Sequence, residues 1–311
     1  GMIAAGAHVL VQNPEIAKTI KGEVLKNMTI DEALSFLSVS KDFNGDEEKL
    51  DFIHRKAGEK DIYFVSNKTD EQVNETCEFR VSTNQVEFWE PVTAKQYNIS
   101  NNTSTNGITT LNLQLPPFGS CFVVFSEESR ELPEYNDSAE IQSTEIKNPW
   151  TLSFPENWGA PASVELDKLI SWIDHENKGI KYFSGTANYT NSFNISKEAL
   201  ENDKSIYLNL GEVLDVAEVF VNDKSAGVLW TKPFRLNIKD YVREGENKIE
   251  IKITNMWINR LTGDIDLPVE EKFCRTNRPY ILEGSEMGDE TFRVQDAGLL
   301  GPVTIEEIKG K

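Results

Sequence analysis

From about Leu50 onward, apolar and polar residues alternate in short runs. "LDFIHR" (50–55), "DIYFVSN" (61–67), "CEFRVS" (77–82), "QVEFWEP" (85–91) and "TLNLQLPPFGSCFVVF" (110–125) carry the period of two that sends successive side chains to opposite faces of a strand. Asn, Gly, Thr and Pro separate these runs, as turns require. Short strands at this spacing predict an antiparallel β-sandwich over residues 50–127. A second all-β block is expected over 148–311. Its clearest strands are "AEVFVND" (217–223) and "KIEIKITN" (248–255). Asn222-Asp223 supplies a turn before "AGVLW", and Gly245-Glu246-Asn247 turns the chain into the later strand.

The first 46 residues follow a different rule. "AHVLV" (7–11) is a continuous apolar run, as in a strand covered on both faces. It leads into "NPEIAKTIKGEVLKNM", where Asn13 can cap a helix and Pro14 fits its first position. Thr29 with Glu32 three residues later predicts a capping box for a second helix. One strand and two helices cannot close a parallel sheet, so residues 2–46 are expected to be the remnant of an α/β unit that begins elsewhere. The acidic, aperiodic stretch "SEESRELPEYNDSAEIQS" (126–143) predicts a connector, with the linker itself at 128–147.

Composition narrows the classes of partner. The chain has 311 residues and a formal net charge of −19, so neither nucleic acid nor an anionic membrane surface is an expected partner. No run is long and apolar enough to span a bilayer, and the opening residues lack the basic start and cleavage site of a signal peptide. Cys77, Cys121 and Cys274 are odd in number and widely spaced, which fits neither a disulfide framework nor a zinc site.

The strand pattern breaks at "NMWINRLTGD" (255–264), where Asn255, Trp257, Asn259, Arg260 and Asp264 crowd together. An aromatic plate, two amides, a guanidinium and a carboxylate can stack on a pyranose and bond its hydroxyls. The same groups can instead pin a long loop to a sandwich, so both accounts stay open. Trp230, before Pro233-Phe234, is a further binding candidate but is expected to fill core; Trp158 and Trp172 are ambiguous. His54 and Arg55 fall on opposite sides of one strand and are candidates for contact with another domain. Glu283, Glu286, Asp289, Glu290 and Asp296 could pair in space, but a solvated acidic loop explains them as well. Asp264 and Asp266 near a glycine give a weak calcium signal that matches no dedicated loop, leaving the metal question open and no other cofactor expected.

Several stretches in order resemble a known architecture. "GIKYFSGTANYTNSF" (179–193), "AEVFVND" with "GVLWTKPFRLNI", "GENKIEIKITNMWINRLTGD" and "GLLGPV" (298–303) resemble the galactose-binding-like jelly roll of family-2 glycoside hydrolases. Together with "FIHR…DIYFVSN" and "LPPFGSCFVVF" they resemble the C-terminal, non-barrel part of family-106 glycosidases. Those are α-L-rhamnosidase-type enzymes, best represented in gut Bacteroides-like bacteria. The resemblance implies a mainly β protein: two antiparallel β-sandwiches, the second a galactose-binding-like jelly roll, with a short N-terminal α/β remnant.

It also implies that the hydrolytic carboxylates reside on a (β/α)₈ barrel, and no eight-fold β-α alternation occurs here. The chain is therefore expected to be an accessory carbohydrate-binding or structural region of a polysaccharide-degrading enzyme, without hydrolytic activity of its own. The expected ligand is carbohydrate, with rhamnose-containing plant polysaccharide as the implied source, and a barrel-bearing partner or upstream chain is expected beside it. The alternatives are an independent carbohydrate-binding module or a docking domain for a partner chain, the latter favoured by uncovered surface around Val9, Leu10 and Ile16. The family analogy places it in the periplasm or outside the cell.

Overall fold

The computed structural model describes residues 9–11, 13–20, 25–26, 28–83, 85–135, 141–147, 149–201, 204–265, 267–274 and 294–309. The chain divides into two compact units, Gly1–Tyr135 and Asn136–Lys311. Each is a β-sandwich of antiparallel sheets.

In the first unit, a four-stranded sheet runs in the order Phe43–Asn44, Val73–Phe79, Ile108–Leu115, Asn102–Thr105. A five-stranded sheet runs Leu50–Ala57, Lys60–Asn67, Ser120–Phe125, Val86–Trp89, Gln96–Asn98. The alternation read from the sequence produces this directly. In Ile108–Leu115 every second side chain, from Thr109 to Leu115, is buried. Tyr63, Phe79 and Phe125 meet edge-on or tilted within 5.7 Å in the core, joined by Val65, Leu113, Cys77 and Cys121. Each such buried apolar side chain contributes about 1.5–3 kcal/mol relative to exposure. Cys77 and Cys121 are free thiols inside this core. Burial pushes the Cys77 thiol up to about 12 and the Cys121 thiol higher still.

At the start of this unit both predicted caps are present. The Asn13 side chain accepts from the Glu15 and Ile16 amides at the head of Pro14–Thr19, and Thr29 with Glu32 closes a capping box on Ile30–Phe36. The first helix is shorter than the sequence suggests. It ends at Thr19 with Ile20 extended, two residues before Gly22, a poor helix former. A second short strand, Leu25–Lys26, then pairs in parallel with Leu10–Val11. The order is therefore strand, helix, strand, helix, not one strand followed by two helices. Two paired residues leave no periodicity for a sequence to display.

The second unit pairs a six-stranded with a four-stranded sheet. The larger runs Ser163–Leu166, Trp150–Ser153, Thr186–Ile195, Gly245–Thr254, Val216–Val221, Lys224–Leu229. The smaller runs Ile141–Glu145, Thr304–Lys309, Lys204–Asn209, Arg235–Asn237. The two ten-residue central strands pair along their whole length, from Thr186 opposite Thr254 to Ile195 opposite Gly245. Asn222 and Asp223 both take positive φ, the left-handed pair that a tight hairpin turn needs. The core gathers Trp150, Leu152, Phe154, Trp172, Phe183 and Tyr189 against the inner faces of both sheets.

The acidic stretch predicted as a connector is only partly one. Tyr135 stacks on Phe88 at 4.2 Å, and Ile141–Glu145 pairs with Thr304–Lys309 as an edge strand of the second unit. All five residues of that edge strand are exposed. Main-chain pairing holds it, so the sequence shows no apolar alternation there.

Candidate functional site

The candidate site lies at one end of the six-stranded sheet, where strand Gly245–Thr254 stops and the chain turns. Asn255 is buried; its side-chain oxygen accepts from the Gly185 amide at 2.9 Å and its amide donates to the Phe183 carbonyl at 3.0 Å. The next residues form a short helix, Ile258–Asp264. Asn259, on its first turn, exchanges two 2.7 Å hydrogen bonds with the Gln295 backbone. Arg260 and Asp264, one turn apart, are an almost fully buried ion pair with Nη2 2.9 Å from Oδ1.

That pair is tightly enclosed. Asp264 Oδ2 accepts from the Cys274 amide at 2.7 Å, and the Arg260 amide donates to the Ser184 hydroxyl at 3.0 Å. The Arg260 guanidinium sits 4.5 Å over the Phe273 ring. Asp264 Oδ1 meets Nη2 without the alignment a hydrogen bond needs, and Arg260 Nε has no hydrogen-bond partner among the described residues. Gly263 is required beside it, because a Cβ there would lie 2.6 Å from both Arg260 Nη2 and Tyr182. Burial, with the Asp264 charge beside it, raises the Cys274 thiol above its ordinary range.

These four polar side chains are therefore turned inward as a frame, with no surface to offer a ligand. What the frame presents outward is aromatic. Trp257 is 58% exposed and meets the half-buried Trp158 edge-to-face at 6.0 Å. The Trp158 loop is held down at the adjoining Gly159, whose carbonyl sits where any Cβ on Gly179 would have to go, 1.9 Å away. Met256 is exposed beside Trp257, and its amide donates to Asp215 at 3.1 Å. Trp230, expected in the core, is 65% exposed. It follows the last residue of an edge strand, where Leu229 turns inward and the next side chain does not.

Sequence reasoning named Trp257 and Trp230 but left Trp158 ambiguous and passed over Asp215, Met256 and Phe273. The glycine that follows Trp158 is the local signal that could have marked an ordered loop there. Trp172, equally ambiguous in sequence, is fully buried and donates to the Tyr189 hydroxyl at 2.6 Å.

The other flagged pair lies in the first unit. His54 is bonded within that unit, Nδ1 to Asp42 at 2.8 Å and Nε2 to Asp61 at 2.9 Å, with its ring stacked 4.0 Å from Tyr63. Arg55 is exposed on the opposite face of the strand. Glu283, Glu286, Asp289, Glu290 and Asp266 lie outside the described residues; Asp296 is exposed. Among the described residues, no group of three or more His, Cys, Asp or Glu side chains is placed to hold a metal, and no helix is long and apolar enough to cross a membrane.

Known proteins share these segments. Residues 4–103 match the family model of α-L-rhamnosidase, and residues 171–279 match the galactose-binding-domain-like model of glycosyl hydrolase family 2. Segments that match glycoside-hydrolase family models thus occur in both units of the chain. The solved rhamnosidase of Novosphingobium sp. PP1Y superposes on 98% of the chain with a TM-score of 0.81 and 28% identity. A protein of Formosa agariphila, provisionally named a beta-glucuronidase, is 36% identical over 201 residues, 57% of this chain. The chain spans 31% of the length of the rhamnosidase and 17% of that of the Formosa protein. The second domain match covers Trp172 through Asp264 and so contains the whole buried frame.

Proposed function

We propose that this chain is the accessory, carbohydrate-binding portion of an α-L-rhamnosidase-like glycosidase, and that Trp257 with Trp158 forms its sugar-stacking surface. The observation that carries this reading is an exposed indole, Trp257, met edge-to-face by the half-buried Trp158 and mounted on a buried, polar, enclosed frame. A rigid aromatic plate at the surface of a domain is a good partner for a pyranose face, because the apolar C–H side of the sugar covers the ring while its hydroxyls stay wet. The domain matches supply the class of ligand, and an acidic chain favours a neutral one. On this reading the protein works in the periplasm or outside the cell.

The test is calorimetric titration of the protein with rhamnose-containing oligosaccharides, wild type against Trp257→Ala. Trp257 is mostly exposed, so its loss leaves stability within about 0.5 kcal/mol. Affinity is expected to fall about tenfold, the equivalent of about 1.4 kcal/mol. Binding that Trp257→Ala leaves unchanged rejects the site, and turnover of an aryl rhamnoside by these two units rejects the accessory role. A docking role is the second reading, favoured by exposed Ile16, Ile30, Phe36 and Ile53 in the first unit, with Val9 and Leu10 half-buried. Flat titrations across the oligosaccharide series, together with association with a barrel-bearing chain, would select it.

A further inference from the structure

Strand order fixes which loops share the end of the six-stranded sheet. Trp150–Ser153 pairs with Thr186–Ile195 through Ser153 and Asn188, so the loop carrying Trp158 leaves at the same end as Thr254. Val216 lies opposite Thr254, and Ala217 lies opposite Leu229, so Asp215 and Trp230 open at that end as well. Read across the strands, this end presents Trp158, then Trp257 and Met256, then Asp215 and Val216, then Trp230. Trp257, Met256, Val216 and Trp230 are all exposed, and Asp215 is half-buried between them.

We infer that this edge binds a linear, neutral oligosaccharide of at least three residues lying across the strand ends, with Trp158/Trp257 and Trp230 stacking on different sugars. The inference rests on the carbohydrate reading above and adds the length and direction of the ligand. The strand ending at Trp230 is two places removed from the strand ending at Thr254, about 10 Å at ordinary strand spacing. One pyranose cannot cover both plates; a chain of three or more can. Asp215 Oδ2 is tied to the Met256 amide, which fixes the carboxylate between the plates as a hydroxyl acceptor and disfavours anionic sugars there. A protein partner would also cover apolar residues, but a stable protein interface needs a broad area, and this is a narrow row interrupted by a carboxylate.

The experiment is a length series. Linear oligorhamnosides and gluco-oligosaccharides of one to five residues are titrated by calorimetry against the full chain, Trp257→Ala and Trp230→Ala. Affinity in at least one series is expected to climb until the third or fourth residue. Trp230→Ala should erase that climb, costing about tenfold for the long ligands and nothing for the monosaccharide, while Trp257→Ala weakens every length. Affinity independent of length, or a tetrasaccharide that binds Trp230→Ala as tightly as wild type, overturns the extended site but leaves the Trp257 site standing. Absence of binding in both series removes the carbohydrate reading itself. Self-association in sedimentation that Trp230→Ala abolishes, with no glycan bound, would reassign the edge to a second copy of this chain.

Discussion

His54 in the first unit lies between two carboxylates at a sheet edge open to water, whereas Arg260 in the second faces one carboxylate in the interior. The side chains of His54, Asp42 and Asp61 are 24%, 28% and 16% exposed; those of Arg260 and Asp264 are 4% and 0% exposed. The edge cluster is also shared more widely, since Arg80 reaches Asp42 at 3.1 Å and Lys56 reaches Asp61 at 3.4 Å. Similar charges therefore work under opposite conditions. At the edge, solvent screens each pair and any member can be lost to a water molecule at a cost of about 1 kcal/mol or less. In the interior the desolvation of both ions is already spent, and removing one partner strands the other. Position, more than the number of ion pairs, decides which cluster the fold depends on.

The largest loss is expected from Asp264→Ala. It leaves the Arg260 guanidinium buried without its counter-charge and the Cys274 amide without its acceptor, so the second unit should lose about 3–5 kcal/mol. Hydrogen exchange read separately in the two units should show the loss in the second alone. Replacing both partners by apolar residues, Arg260→Met with Asp264→Leu, should recover much of it, because the stranded charge is then gone. A loss below about 1 kcal/mol for Asp264→Ala would mean that the pair is wetter than its burial implies.

Much of the scaffold was legible because it follows from periodicity and caps. Leu111, Leu113 and Leu115 announce a half-buried strand, and Asn13 and Thr29 announce helix starts, from a few neighbouring residues. The parallel pair of Leu25 with Leu10 was not legible, because a two-residue strand has no pattern. The site was half legible. "NMWINRLTGD" marks itself as unusual, yet Asn255, Asn259, Arg260 and Asp264 are residue types that serve equally well against a sugar or against the protein's own backbone. Only the direction in which each side chain points separates the two, and that is set by contacts with Gly185, Gln295 and Cys274, up to 70 positions away in the chain. Trp230 inverts the same lesson. Its aromatic character suggested core, but its place one residue past an inward Leu229 put it outside.

A middle case is a buried polar contact without net charge. Trp172 donates to the Tyr189 hydroxyl at 2.6 Å, and the Leu299 amide donates to the same oxygen at 3.2 Å. Burial pushes the Tyr189 phenol up to about 12, so it remains neutral and available as acceptor across the physiological range. Tyr189→Phe keeps the ring and removes the acceptor, leaving two buried N–H groups unpaired. The second unit should lose about 1–3 kcal/mol by denaturant titration, less than for Asp264→Ala because no charge is stranded. A loss as large as that of Asp264→Ala would show that hydrogen bonding, with charge a minor part, explains the interior cluster too.

The smallest effect belongs to the edge cluster and shows as a pH dependence. Partial burial pushes the Asp42 carboxyl up, but the hydrogen bonds from Arg80 and His54, with their charges, outweigh it and hold the group below its ordinary 3.8. A carboxyl depressed in the folded state adds stability that is fully present above 3.8 and is lost as pH falls through its lower folded value. Asp42→Asn cannot titrate, so the acid side of the first unit's stability profile should flatten, while at neutral pH the variant is less stable by under about 1 kcal/mol. The second unit's profile should not move. An acid slope that Asp42→Asn leaves unchanged would assign the first unit's sensitivity to other carboxylates, and a neutral-pH loss of several kcal/mol would place Asp42 with Asp264 among the charges on which the fold depends.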